Sequence, residues 1–119
     1  MKYMILIFSN TADSAAPTPE QIQAEMNEYW AYGAELDKRG AHVSSEALQG
    51  SETATTVRVR NGKAAFTDGP FAESKEQVGG YYLVEAKDKA AALELAALCP
   101  GAKHGVVEVR PIVDFSQMR

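Results

Sequence analysis

The chain has 119 residues, 45% of them hydrophobic and 24% charged, and its twelve Lys and Arg against sixteen Asp and Glu leave a net charge of −4 with histidine neutral. That acidic balance excludes an ordinary nucleic-acid module, which needs a basic face to neutralise phosphates, and no apolar run approaches the ~20 residues of a membrane-spanning helix. One cysteine, Cys99, rules out an internal disulfide framework and suits a reducing compartment, so a cytoplasmic protein is expected. A chain this long buries roughly 65% of its unfolded surface, enough for one core, and one domain over residues 1–119 is expected.

Residues 3–8, Tyr-Met-Ile-Leu-Ile-Phe, are a short continuous apolar run, the pattern of a strand buried on both faces. Small polar residues at 9–17 read as a loop. Thr18, Pro19 and Gln21 then form a helix start: a capping Thr, Pro at the first helical position, and a Gln that completes a capping box. Ile22, Met26, Tyr29, Gly33 and Leu36 make the predicted inward stripe, with Trp30 on its flank. Lys38-Arg39-Gly40 places cations in the last turn and Gly where the helix must end left-handed.

A short strand is expected at 42–48. Thr55 to Arg60 alternates, Thr55, Val57 and Val59 on one face and Thr56, Arg58 and Arg60 on the other. Asn61-Gly62 is a strong hairpin turn, returning the chain through 63–67. Asp68-Gly69-Pro70-Phe71 interrupts the pattern. Asp68 is expected to bond nearby backbone in an Asx-type turn, with Gly69 held extended by Pro70 and Pro70 starting a helical turn over 72–78. Gly79-Gly80 opens a strand at 81–85. Asp88 caps a second helix, 89–99, with Ala91, Leu95 and Leu98 inward, ended by Pro100-Gly101. The last strand is 106–113, with Val107, Val109 and Val113 on one face.

The order β-α-β-(hairpin)-β-α-β predicts an α+β domain of the ferredoxin-like, split βαβ kind with an added β-hairpin. Two helices cover one face of a four-stranded sheet, yet the strand at 3–8 is apolar on both. A bare apolar face rimmed by Arg58, Glu108 and Arg110 is the layout of a self-associating surface. A homodimer packed sheet to sheet is therefore expected, with any ligand cleft between the dimer layer and the loops.

The chemistry-bearing residues are few. His42 and His104 lack metal-ligand spacing, so no metal and no cofactor are expected. There is no nucleophile elbow and no phosphate loop, and Cys99 in a helix's last turn reads as a small buried residue. Tyr29, Trp30 and Tyr32 crowd one helix and cannot all face inward, so one of them is available to a cleft. The densest polar stretch is 68–77, where Asp68, Glu73 and Lys75 offer charges that position a polar ligand or exchange a proton.

The segment 67–84, which reads Thr-Asp-Gly-Pro-Phe-Ala-Glu-Ser-Lys-Glu-Gln-Val-Gly-Gly-Tyr-Tyr-Leu-Val, resembles the hallmark of the DGPF branch of the YCII-related family. The opening strand, Ala54 to Arg60 and Val107 to Pro111 are similar to the same branch. The resemblance implies a bacterial protein with a dimeric α/β barrel. It carries Asp68, Gly69, Pro70, Phe71, Glu73, Lys75, Glu76 and Gly80 over as candidate site residues, and Tyr82 and Arg110 are added as candidates for the same cleft. Many members of the wider family carry a histidine in the first helix paired with an aspartate. This chain has Tyr29 or Trp30 at that place, so the dyad does not carry over. The expected function is binding of a small polar ligand near Asp68. The alternatives are an enzyme using Asp68 or Glu73 as general base, or an interaction module serving a sigma factor, a link the resemblance implies, without direct nucleic-acid or membrane contact.

Overall fold

A computed structural model describes residues 1–10 and 17–117. The first strand, β1, runs Lys2–Asn10, and helix α1 follows over Pro19–Lys38. The loop expected at 9–17 lies mostly outside the described residues, while Ser9 and Asn10 belong to β1. Thr18 caps α1 as a capping box, its Oγ1 accepting from Gln21 N at 3.1 Å and its N donating to Gln21 Oε1 at 2.9 Å. Strand β2 is His42–Ala47, and a hairpin of β3 (Thr55–Arg60) and β4 (Lys63–Asp68) follows. Asn61 and Gly62 turn that hairpin with φ of 53° and 75°, the positive pair a two-residue turn requires. Strand β5 (Glu76–Glu85), helices α2 (Lys89–Ala97) and α3 (Pro100–His104) and strand β6 (Val106–Pro111) complete the chain.

The result is a mixed α+β fold. Four strands form one sheet in the order β2-β5-β1-β6, every neighbour antiparallel. The ladder sets which side chains share a face. Tyr3, Ile5 and Ile7 of β1 stand opposite Val84, Tyr82 and Gly80 of β5, and opposite Pro111, Val109 and Val107 of β6. This face meets the helices and contains the core: Ile5, Leu36, Val84 and Cys99 are fully buried, joined by Tyr3, Tyr32, Ala92, Leu95 and Ala96. Met4, Leu6, Phe8, Tyr81 and Leu83 point to the other face, which no helix among the described residues covers, and are only half-buried.

Several elements depart from expectation for identifiable reasons. The inward stripe of α1 is Tyr29, Tyr32 and Leu36, whereas Ile22 and Met26 are exposed. A helix of twenty residues is about 30 Å long, and α2 and α3, with nine and five residues, are too short to cover its first half. Strand β5 begins at Glu76, not Tyr81, because β1 continues to Asn10 and pairs with it beyond a bulge at Ile7/Phe8. No helical turn forms at 72–78. Pro100 opens α3 as well as ending α2, since the residue before a proline is driven out of helical geometry, and Leu98 is exposed. β6 stops at Pro111 and leaves Val113 exposed.

Among the described residues the β3–β4 hairpin forms a two-stranded sheet of its own. Arg58 therefore lies on this ribbon and not at the rim of the open sheet face, where Glu108 and Arg110 do stand. Val57, Val59 and Phe66 are all more than half exposed. The projecting ribbon gives a flat molecule, 50 × 45 × 18 Å, with a radius of gyration of 16.7 Å, against roughly 13.5 Å for a compact chain of this length.

The end of α1 is a Schellman turn. Gly40 takes φ +68°, its N donates to Asp37 O at 3.0 Å, and Ala41 N donates to Leu36 O at 2.9 Å. Leu36 and Ala41 pack in the core beneath it. A Cβ at position 40 meets no neighbour within 4 Å, so only backbone strain opposes substitution. Gly40→Ala is expected to lower stability by about 1 kcal/mol with an unchanged denaturant slope, measured by urea unfolding.

Candidate functional site

The Asp68–Phe71 segment forms the junction between the free hairpin and β5. Gly69 adopts φ +101°, a conformation open to glycine and strained for other residues. It is held at both backbone groups: its N donates to Ala54 O at 2.7 Å, and its carbonyl accepts from Thr56 Oγ1 at 2.8 Å. The expected Asx-type turn is thus replaced by a backbone clasp to β3. The Asp68 carboxylate is exposed at the end of β4 and makes no hydrogen bond among the described residues. Gly69 is also not extended as expected, because the clasp requires a positive φ.

The other end of the loop is fastened by Gln77, whose amide Nε2 donates to Ala72 O at 2.8 Å and Ser74 O at 3.2 Å. Ser74 Oγ donates to Glu76 O at 2.7 Å. Glu73, Lys75 and Glu76 are exposed on this stretch, and Phe71 is 82% exposed. Pro70 and Phe71, with Ala54, Thr55, Thr56, Val57 and Arg58, line an open cavity of about 520 Å³ beside the hairpin. Among its lining residues Thr55, Thr56 and Arg58 carry polar side chains, and the Thr56 hydroxyl is engaged by the Gly69 carbonyl.

Of the other candidates, Gly80 is buried where β5 meets β2, and a Cβ there would stand 2.8 Å from Glu46 O. Its role is close strand approach. Tyr82 lies under α1 on the helix face, while Arg110 lies on the open face, 3.5 Å from Glu108. Within one chain Asp68, Tyr82 and Arg110 do not share a cleft. A second cavity, about 400 Å³, lies between α1 and the α2–α3 segment, with Tyr32, Glu35, Arg39 and Lys103 among its lining residues. Trp30 is exposed, and Tyr32 is buried with its hydroxyl donating to Leu95 O at 2.8 Å.

Sequence reading missed one constellation. Asp37 Oδ1 lies 2.9 Å from His42 Nδ1, and His42 Nε2 lies 2.9 Å from Ser45 Oγ. Two backbone features produce it: the Schellman turn reverses the chain and brings His42 back beneath Asp37, and a register shift between His42 and Ser44 in β2 puts Ser45 on the same face as His42. A carboxylate in a helix's last turn has the wrong sign for the helix dipole, and that misfit was the available signal. Tyr82 adjoins the group, its ring 5.9 Å from the imidazole, 4.9 Å edge-on from Tyr32 and 6.3 Å stacked from Tyr29. Among the described residues no group of three or more His, Cys, Asp or Glu is placed to hold a metal ion, and no helix is long and apolar enough to cross a membrane.

The α+β fold is shared with a solved structure, the 5-chloro-2-hydroxyhydroquinone dehydrochlorinase of Burkholderia phenoliruptrix in complex with 2,5-dihydroxybenzoquinone. The two align with a TM-score of 0.50 and 14% identity over 95% of this chain and 94% of that one. The YCII-related domain matches residues 1–116, so the chain belongs to the YCII-related family. An uncharacterised protein of Rhizobium meliloti (strain 1021) is 30% identical over 114 residues, covering 94% of this chain and 92% of the relative.

Burial raises the phenols of Tyr29, Tyr32 and Tyr82 above the ordinary tyrosine range, with smaller repulsion from Cys99. Raised folded values mean the associated stability is complete below the unfolded tyrosine pKa and is lost as pH climbs toward the folded values. Stability is therefore expected to fall in the alkaline range. In a spectrophotometric titration, the phenolate signal of these three residues should appear together with unfolding.

Proposed function

We propose that this YCII-related protein, of the DGPF branch, is a cytoplasmic homodimer that binds a small polar ligand in the cleft beside Asp68–Phe71. The observation that carries the reading is the cavity itself: an apolar floor of Pro70 and Phe71, a cation in Arg58, and a loop clasped at both ends. A site of that composition suits a flat organic anion, its ring on the apolar floor and its charge on the guanidinium. Asp68 and Glu73 are exposed carboxylates that flank Pro70 and Phe71 in sequence but are not among the cavity's lining residues.

Strand order β2-β5-β1-β6 with helical crossovers fits a ferredoxin-like split βαβ plan, and pairing of two open sheet faces fits a dimeric α/β barrel. The dimer reading rests on two apolar surfaces left without cover. The open face carries Met4, Leu6, Phe8, Tyr81 and Leu83, bordered by Glu46, Glu108 and Arg110. The hairpin adds Val57, Val59 and Phe66. A two-stranded ribbon is marginal alone in water, and a second copy buries both.

Two measurements test this reading. Sedimentation at micromolar concentration should give a dimer, and replacing Leu6 and Leu83 by Asp should yield a monomer; a wild-type monomer refutes the assembly. Titration with hydroxylated benzoates and quinones, 2,5-dihydroxybenzoquinone among them, should produce saturable binding. Arg58→Ala should weaken it by about tenfold or more, and equal affinity for wild type and Arg58→Ala refutes the cleft.

A further inference from the structure

The Asp37–His42–Ser45 group lies outside the cleft, and the ligand-binding reading makes no use of it. Its order matters. A carboxylate accepts hydrogen bonds only, so Asp37 assigns the imidazole proton to Nδ1 at 2.9 Å. Nε2 is then an acceptor, and Ser45 donates its O–H to it at 2.9 Å. Carboxylate to Nδ1 and Nε2 to hydroxyl is the arrangement in which an imidazole can remove a hydroxyl proton as the oxygen attacks.

Three further features bear on use. The turn at Gly40 fixes Asp37 against His42 through backbone bonds, so the imidazole is oriented before any substrate arrives. The His42 side chain is 22% exposed and Ser45 is half-buried on edge strand β2, so the hydroxyl is reachable. Ser45 stands directly across the ladder from Tyr82, whose ring lies 5.9 Å from the imidazole and stacks on that of Tyr29. The hydroxyl thus shares a sheet face with an aromatic ring, and the Tyr82 phenol on that face stays a neutral O–H donor because burial raises it.

We propose that Ser45 is a nucleophile for small aryl esters, with His42 as its general base and Asp37 as the positioning residue. Ser45 Oγ bonds to the ester carbonyl carbon while its proton passes to His42 Nε2. The bond from carbonyl carbon to aryl oxygen breaks, and Nε2 returns the proton to the departing phenol. Water, deprotonated by Nε2, then attacks the acyl-serine, releasing the carboxylic acid and restoring the Ser45 hydroxyl. The sum is ester plus water giving acid plus phenol.

The test uses the full chain and p-nitrophenyl acetate. Peptide mass spectrometry should find the acetyl group on Ser45, distinguished by fragmentation from Ser44, which faces the opposite side of the sheet. Ser45→Ala and His42→Ala should each slow p-nitrophenolate release by about tenfold or more, with circular dichroism unchanged, and Ser44→Ala should match wild type. Asp37→Asn should lower kcat with KM unchanged, as expected of a residue that acts through the imidazole. Acetyl found only on lysines or the N-terminus overturns the proposal, as does a Ser45→Ala rate equal to wild type.

Discussion

Three helices of twenty, nine and five residues cover one side of the β2-β5-β1-β6 sheet, and the fully buried side chains lie in that layer. Among the described residues no element covers the other side, although β1 and β5 place apolar residues there as well. At about 25 cal/mol per Å² of apolar surface, leaving such a face wet forgoes several kcal/mol in a fold whose whole stability is of order 10 kcal/mol. That imbalance shapes the rest of the structure. The fully buried core and the Tyr29–Tyr32–Tyr82 cluster lie on the helix side, while the apolar residues of β1 on the other side are only half-buried.

Much of this was legible in the residues. The capping box at Thr18, the Asn61-Gly62 turn, the Asp88 cap and the sealed apolar run of β1 each report a local physical preference, and each element stands where those preferences put it. What was illegible depended on neighbours distant in sequence. Glu76 to Gly79 reads as polar loop because nothing local marks it as strand; its pairing partner is the far end of β1. Ile22 and Met26 fit a helical stripe perfectly well, yet no layer lies beneath them to bury them.

The candidate site divides the same way. The Asp68–Phe71 stretch is conspicuous in sequence, and Pro70 and Phe71 line an open cavity, but the interactions that shape the loop come from Ala54, Thr56 and Gln77. Tyr82 and Arg110 were grouped with Asp68 by chemistry; strand register separates them, since a ladder places side chains on a face by parity and not by kind. The Asp37–His42–Ser45 group shows the reverse. Asp37 is marked only by its misfit with the helix dipole, and the turn at Gly40 together with the β2 bulge between His42 and Ser44 makes the three neighbours.

The free hairpin has a consequence for the chain during synthesis and in dilute solution. A ribbon unpaired on both margins offers open backbone donors and acceptors to any passing strand, the starting point of edge-to-edge aggregation. Here Arg58, Arg60 and Lys63 crowd one face of β3 and β4, facing the same way across the ladder. Stacking ribbons in register would bring these like charges together without counterions, so the cations act as gatekeepers that leave the apolar face available to a specific neighbour while discouraging fibrous growth.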